Sequence, residues 1–156
     1  MREYDRSCSR AGPRALALCF ALLASPAMAY DLQRHVWQDR LLFLVAPEFD
    51  EPGLQHQLEV VAQQREAVLD RDLRVFALAM DSGDLDGAPL SQADVLSLRD
   101  QLRLAPHARA VILVGLDGGI KSRTPLDTPL GDVFQQIDAM PMRQQELRER
   151  SPASSP

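Results

Sequence analysis

Three stretches of the chain are almost wholly apolar, and between them the apolar positions space out. Residues 41–46 read LLFLVA, 73–80 read LRVFALAM and 110–114 read AVILV. Short apolar runs bounded by turn residues predict strands covered on both faces. Between the first two runs, Leu54, Leu58, Val61, Ala62, Val68 and Leu69 recur mainly three and four residues apart, with Gln and Glu between them. That spacing predicts one amphipathic helix over 54–69. The stretch DSGDLDG at 81–87 predicts a loop by its composition. Ser91, with Asp94 three residues on, predicts a capped helix with Val95, Leu98 and Leu102 as its stripe, ended by Pro106.

After the third run, Asp117-Gly118 predicts a two-residue hairpin turn of type I′, which needs positive φ at both central positions. Residues 120–123 then return as a short antiparallel strand. Thr128, with Pro129 at the first helical position, opens a helix whose inner side is Leu130, Val133, Phe134 and Ile137. Pro141 interrupts or restarts it, and 144–150 is a polar helical stretch. The order is strand, helix, strand, helix, strand, hairpin, strand, helix. A βαβ unit makes the first two strands parallel, and a ββα unit completes the sheet. This is the order of an α/β, thioredoxin-like three-layer sandwich: a mixed four-stranded sheet with a β-hairpin and flanking helices. One domain is expected over 30–147, followed by a disordered tail over 148–156.

Composition narrows the class. Hydrophobic residues make up 46% and charged residues 25% of 156, with 8 Gly and 11 Pro, which is globular usage. The net charge of −5 argues against non-specific nucleic-acid binding, which needs excess cations. The amino-terminal segment has a different character. Arg2, Arg6, Arg10 and Arg14 precede an apolar run over 15–24, and Ser25-Pro26 and Ala27-Met28-Ala29 follow. This is the layout of a secretory signal peptide over 1–29, cleaved near Ala29, and it predicts a periplasmic or secreted protein. Its apolar core would make a helix of roughly 15 Å, about half a bilayer's hydrocarbon thickness. No membrane span is expected in the mature chain. Cleavage would leave 127 residues, 13 basic and 20 acidic, at a net charge of −7. It would also remove Cys8 and Cys19, the two cysteines of the sequence. A mature chain without cysteine has no disulfide, thiolate nucleophile, CxxC pair or thiolate-bound zinc.

Sheets of this kind usually bind ligands at the carboxyl ends of their strands, near the first helix. A thioredoxin or peroxiredoxin keeps its reactive cysteine near this place. Here the junction carries Glu48, Asp50 and Glu51, acids that a helix amino terminus favours by itself. Asp81, Asp84 and Asp86 miss the calcium-loop spacing. His35, His56 and His107 are far apart and form no metal pair in sequence. Met140 and Met142 offer thioethers, and packing is the usual role of such residues. Lys121 is the only lysine in the chain; beside Arg123 on a short edge strand, it discourages edge-to-edge pairing.

Four segments together carry a resemblance: WQDRLLFLVAP at 37–47, LDRDL at 69–73, VILVGLDGGIK at 111–121 and IDAMPMRQ at 137–144. They resemble the family catalogued as domain of unknown function 4174, a secreted thioredoxin- or peroxiredoxin-like domain of bacteria. The domain also recurs in animal extracellular-matrix proteins with sushi repeats and in equarin-like proteins. The likeness covers roughly 33–146. One departure is Leu116, where the family often has Lys. The resemblance implies the fold; the family's own activity is not established.

The expectation is an exported, non-catalytic binding or interaction module without a cofactor or metal, whose partner is another exported protein. The candidate face consists of Asp117, Gly118, Lys121, Arg123, Asp138, Met140, Met142, Arg143 and Gln144, with Asp138 pairing with Lys121 or Arg143. Hairpin and helix-junction architecture explains the same residues without any partner. The rival reading is an enzyme, either a thiol-independent oxidoreductase or a hydrolase on Glu48, Asp50 or Glu51.

Overall fold

At the centre of the structure, a computed structural model, is β1 (Arg40–Val45), all six residues of which are buried. The structure describes residues 30–150. The expected signal peptide over 1–29, with both cysteines, lies outside the described residues, as do residues 151–156. β2 (Leu73–Leu78) pairs with β1 in parallel, and β5 (Ala110–Val114) pairs antiparallel on its other side. β6 (Ile120–Thr124) forms one edge beside β5.

The alternation of side chains along these strands explains why their sequences read as unbroken apolar runs. Leu42, Leu44, Val75, Ala77, Val111 and Leu113 point to one face. There they meet Leu54 of α1 (Pro52–Gln63), Val68 of α2 (Arg65–Asp70), and Val133, Phe134 and Ile137 of α4 (Leu130–Asp138). Leu41, Phe43, Phe76, Leu78 and Ile112 point to the other face, against Leu98 of α3 (Gln92–Gln101) and Leu102 just after it. Each such side chain contributes about 1.5–3 kcal/mol by burial. The sheet is a middle layer between two helical layers, as the element order predicts.

The sheet has six strands rather than four, in the order β4-β3-β2-β1-β5-β6. The extra two are β3 (Gly83–Leu85) and β4 (Ala88–Pro89), in the stretch whose composition reads as a loop. Asp86 and Gly87 between them have φ of 52° and 84°. The type I′ conformation expected at Asp117-Gly118 is therefore found here. At the expected place only Gly118 is left-handed, with φ 75°. Its N–H donates to the Gly115 carbonyl (3.0 Å) while Gly115 N–H donates to Gly119 (2.9 Å). That is the three-residue hairpin loop that ends in a left-handed glycine.

Three further expectations shift. The single helix over 54–69 breaks at Gln64 (φ −107°, ψ 27°), which turns Val68 inward and leaves Leu69 exposed. Pro129 is itself the cap of α4, and the Thr128 hydroxyl donates to the Pro125 carbonyl. α5 (Pro141–Arg150) continues through 148–150, the start of the stretch expected to be disordered. The α3 cap is as expected, with Ser91 Oγ accepting from Asp94 N–H at 3.2 Å.

Candidate functional site

The pairing register brings the starts of β1 and β2 and the end of β5 to one pole of the sheet, with Arg40 opposite Leu73 and Leu41 opposite Val114. The four segments that carry the family resemblance meet at this pole. Inside it lies an ionic clasp. Arg40 and Arg143 are each only 1% exposed. Arg40 donates to Glu146 Oε1 at 2.7 Å and to the Arg71 carbonyl at 3.0 Å. Arg143 donates to the Asp70 carbonyl at 2.8 Å, to the Asp70 carboxylate, and to Glu146 Oε2 at 3.3 Å. Arg71 grips both oxygens of Asp138, at 3.0 and 2.6 Å, and lies over the Phe134 ring. Arg150 closes the outside on Asp70, at 3.0 Å.

Buried guanidinium groups need carboxylate partners because desolvation opposes their charge. The clasp supplies them. Burial pushes the Arg143 pKa down, and the bonds to Glu146 and Asp70 more than reverse this, so it ends above its ordinary value. Burial likewise opposes the Glu146 charge, and the bonds from Arg40 and Arg143 hold its carboxyl below the ordinary value. Among the buried side-chain atoms of the described residues, the Nε atoms of Arg40 and Arg143 lack a hydrogen bond, although Arg143 Nε lies 3.5 Å from Asp138. The clasp therefore ties α5 to the starts of both parallel strands.

The candidate face divides accordingly. Arg143 is internal, and Asp138 is half-buried beneath Arg71, a partner that sequence reasoning missed. Asp138 also approaches Arg143, as expected, but Lys121 pairs elsewhere. Met140 packs against the core, whereas Met142 and Gln144 are exposed, and Gln144 donates to the Asp138 carbonyl. On the hairpin, Lys121 Nζ donates to Asp117 Oδ2 at 2.6 Å, and Gly119 N–H donates to Asp117 Oδ1 at 3.1 Å. The Lys121 bond first, then the Gly119 bond, holds Asp117 below the ordinary carboxylate range. Arg123 donates to the Leu102 carbonyl at 2.9 Å. A Cβ at Gly118 would lie 2.9 Å from Val36, so the left-handed glycine also lets the segment before β1 seat on the hairpin.

That segment holds residues the sequence reading did not single out as site candidates. Trp37 has φ 64°, a strained value for a bulky residue, and is 66% exposed. Its N–H donates to the Leu116 carbonyl at 2.6 Å, so the ring is held out on a backbone pinned to the hairpin. Ile120 on the same hairpin is 50% exposed. Behind them, buried His35 bridges Asp39 (Nδ1 to Oδ2, 2.7 Å) and the Tyr30 hydroxyl (Nε2, 2.8 Å). Burial raises the Tyr30 pKa. The four-residue spacing of His35 and Asp39 is the sequence signal for this chain of contacts.

The opposite pole, at the carboxyl ends of β1 and β2, is cross-linked by local contacts. Met80 N–H donates to the Pro47 carbonyl at 3.1 Å, and Arg109 pairs with Glu51 at 2.7 Å. Buried Arg99 donates to the carbonyls of Ala79 and Ala105, both at 3.0 Å. In the β3–β4 hairpin, Asp86 accepts from Arg74 and Val75 N–H, and Asp84 from Gly87 N–H. Among the described residues no three His, Cys, Asp or Glu side chains are grouped to hold a metal. No helix of the described residues is long and apolar enough to cross a membrane.

Comparison with solved structures places the fold. The chain resembles a reduced 2-Cys peroxiredoxin of Plasmodium vivax with a TM-score of 0.55 and 14% identity, over 81% of this chain and 77% of that one. It resembles thioredoxin peroxidase I of Plasmodium yoelii with a TM-score of 0.51 and 12% identity, over 79% and 83%. At such identities the likeness is one of fold. A curated relative, coiled-coil domain-containing protein 80 of Danio rerio, is 26% identical over 133 residues, covering 74% of this chain. The chain matches only 15% of that protein's length. The pattern of one family matches residues 31–146, most of the chain and all four converging segments, and the chain belongs to that family, Domain of unknown function (DUF4174).

Proposed function

We propose that the protein is an exported, non-catalytic binding module that engages another exported protein through the hairpin pole. The observation that carries the reading is Trp37: a large aromatic ring held in solvent by a strained backbone pinned to the hairpin. Aromatic anchors of this kind dominate protein–protein recognition. Asp117, Gly118 and Lys121 belong to the same turn, Arg123 lies further along β6, and Met142 and Gln144 are exposed on α5. Residues 30–156 contain no cysteine, so the thiol chemistry that a peroxiredoxin-like fold invites has no nucleophile once 1–29 is removed. Export rests on the composition of residues 1–29.

The test is direct. The full chain is expressed in a bacterial host, recovered from the periplasmic fraction and sequenced from its amino terminus. The sequence should begin at Tyr30, and the protein should leave hydrogen peroxide unconsumed in metal-free buffer. Retention in the cytoplasm would overturn export, and peroxide turnover would overturn the non-catalytic reading.

A further inference from the structure

A cavity of about 550 Å3 opens on the flank of the sheet, between α1 and α2 on one side and β2 and β3 on the other. Its size is that of small-molecule pockets, roughly 300–1,000 Å3. Leu58, Val61, Val68 and Val75 give it an apolar wall. The break at Gln64 falls between two of its lining residues, Ala62 of α1 and Arg65 of α2.

The charges around the mouth differ in how far they are already committed. Arg74 is bound to Asp86 at 2.5 Å, and Asp86 also accepts from Val75 N–H at 2.8 Å. Asp84 accepts from Gly87 N–H, and burial raises its pKa. Arg65 alone among these groups makes no hydrogen bond or ion pair among the described residues. The cavity therefore offers an apolar wall and, on its exposed rim, one guanidinium with no protein partner among the described residues, the fork that best fits a carboxylate.

We infer that this cavity binds an amphipathic carboxylate: an apolar chain lying against Val61, Val68 and Val75, with its single negative group on Arg65. The cavity shares no lining residue with the proposed protein-binding face and does not depend on the protein-binding reading.

Decanoate titrated into the full chain tests the inference by calorimetry, below the concentration at which it forms micelles. One saturable site is expected. Arg65→Gln should weaken it about tenfold, the loss of one charge-assisted contact. 1-Decanol, with the chain and no charge, should bind the wild type about as weakly as decanoate binds Arg65→Gln. Acetate, with the charge and no chain, should not bind. Ala62 lines the cavity and is exposed, so Ala62→Trp should abolish decanoate binding with unchanged thermal melting. Absence of a saturable site, binding unchanged in Arg65→Gln, or binding that survives in Ala62→Trp would each overturn the inference.

Discussion

The two poles of the sheet both bury arginine, and they solve the problem differently. At the hairpin pole Arg40 and Arg143 are held by carboxylates, those of Glu146 and Asp70. At the opposite pole Arg99 is held by neutral carbonyls, those of Ala79 and Ala105. The consequence appears in their proton affinities. Burial lowers the Arg99 pKa, with no charged partner to oppose it. Arg143 is raised, because its carboxylates outweigh burial. The pole at which α/β sheets usually bind their ligands is thus cross-linked through neutral carbonyls and one surface ion pair. The pole that gathers the family's segments is an ionic base with exposed residues around it. For the proposed binding role, a support held by ion pairs would lower the ordering cost of binding.

The largest expected effect separates the poles. Arg143→Met removes the buried guanidinium that bridges Asp70 to Glu146, leaving them Arg150 and Arg40 alone, and should destabilise the fold by about 3–5 kcal/mol in urea unfolding. Arg99→Met leaves only neutral carbonyls unpaired and should cost about 1–3 kcal/mol. Equal losses would show that the carboxylates are not what distinguishes the two.

A pH series sharpens the same contrast. The Glu146 carboxyl is held below its ordinary 4.5 in the folded state. Its contribution is therefore complete above that value and is lost as pH falls through the lower, folded one. The stability difference between wild type and Glu146→Gln should be constant from pH 7 to about 5 and shrink below about 4.5. The difference for Arg99→Met should stay flat over the same range, since that group does not titrate there. A clasp difference that persists undiminished at pH 3 would contradict the ion-pair account.

The smallest effect concerns the exposed side of the hairpin pole. Trp37→Gly relieves a left-handed residue whose ring is largely in solvent, and should raise stability by about 0.5–1 kcal/mol. A loss instead would mean that the ring is held by packing and is no free anchor.

Much of this was legible in the sequence. β1, β2 and β5 read directly because both their faces are covered, and the Ser91 cap because its bond is local. The β3–β4 hairpin did not, although Asp86-Gly87 is the same turn signal as Asp117-Gly118. Its strands are two and three residues long and carry no apolar run. The helix break at Gln64 was hidden because the apolar spacing resumes at Val68. The clasp was illegible for a different reason: Arg40 and Glu146 are 106 residues apart, and Arg143 and Asp70 are 73. Composition shows such residues as solvated charge until the fold brings them together. The polar residues of the hairpin can be picked out together because a turn keeps them adjacent in sequence.

The most direct test of the account compares the two poles in one binding measurement. The full chain, exported and immobilised, is exposed to periplasmic extract, and the retained protein is quantified for wild type, Trp37→Ala with Lys121→Glu, and Glu48→Gln with Asp50→Asn, each checked for unchanged melting. The account predicts that a specific partner is retained by the wild type and by the Glu48, Asp50 variant, and is lost from the Trp37, Lys121 variant. Retention by the Trp37, Lys121 variant together with loss from the Glu48, Asp50 variant would contradict it.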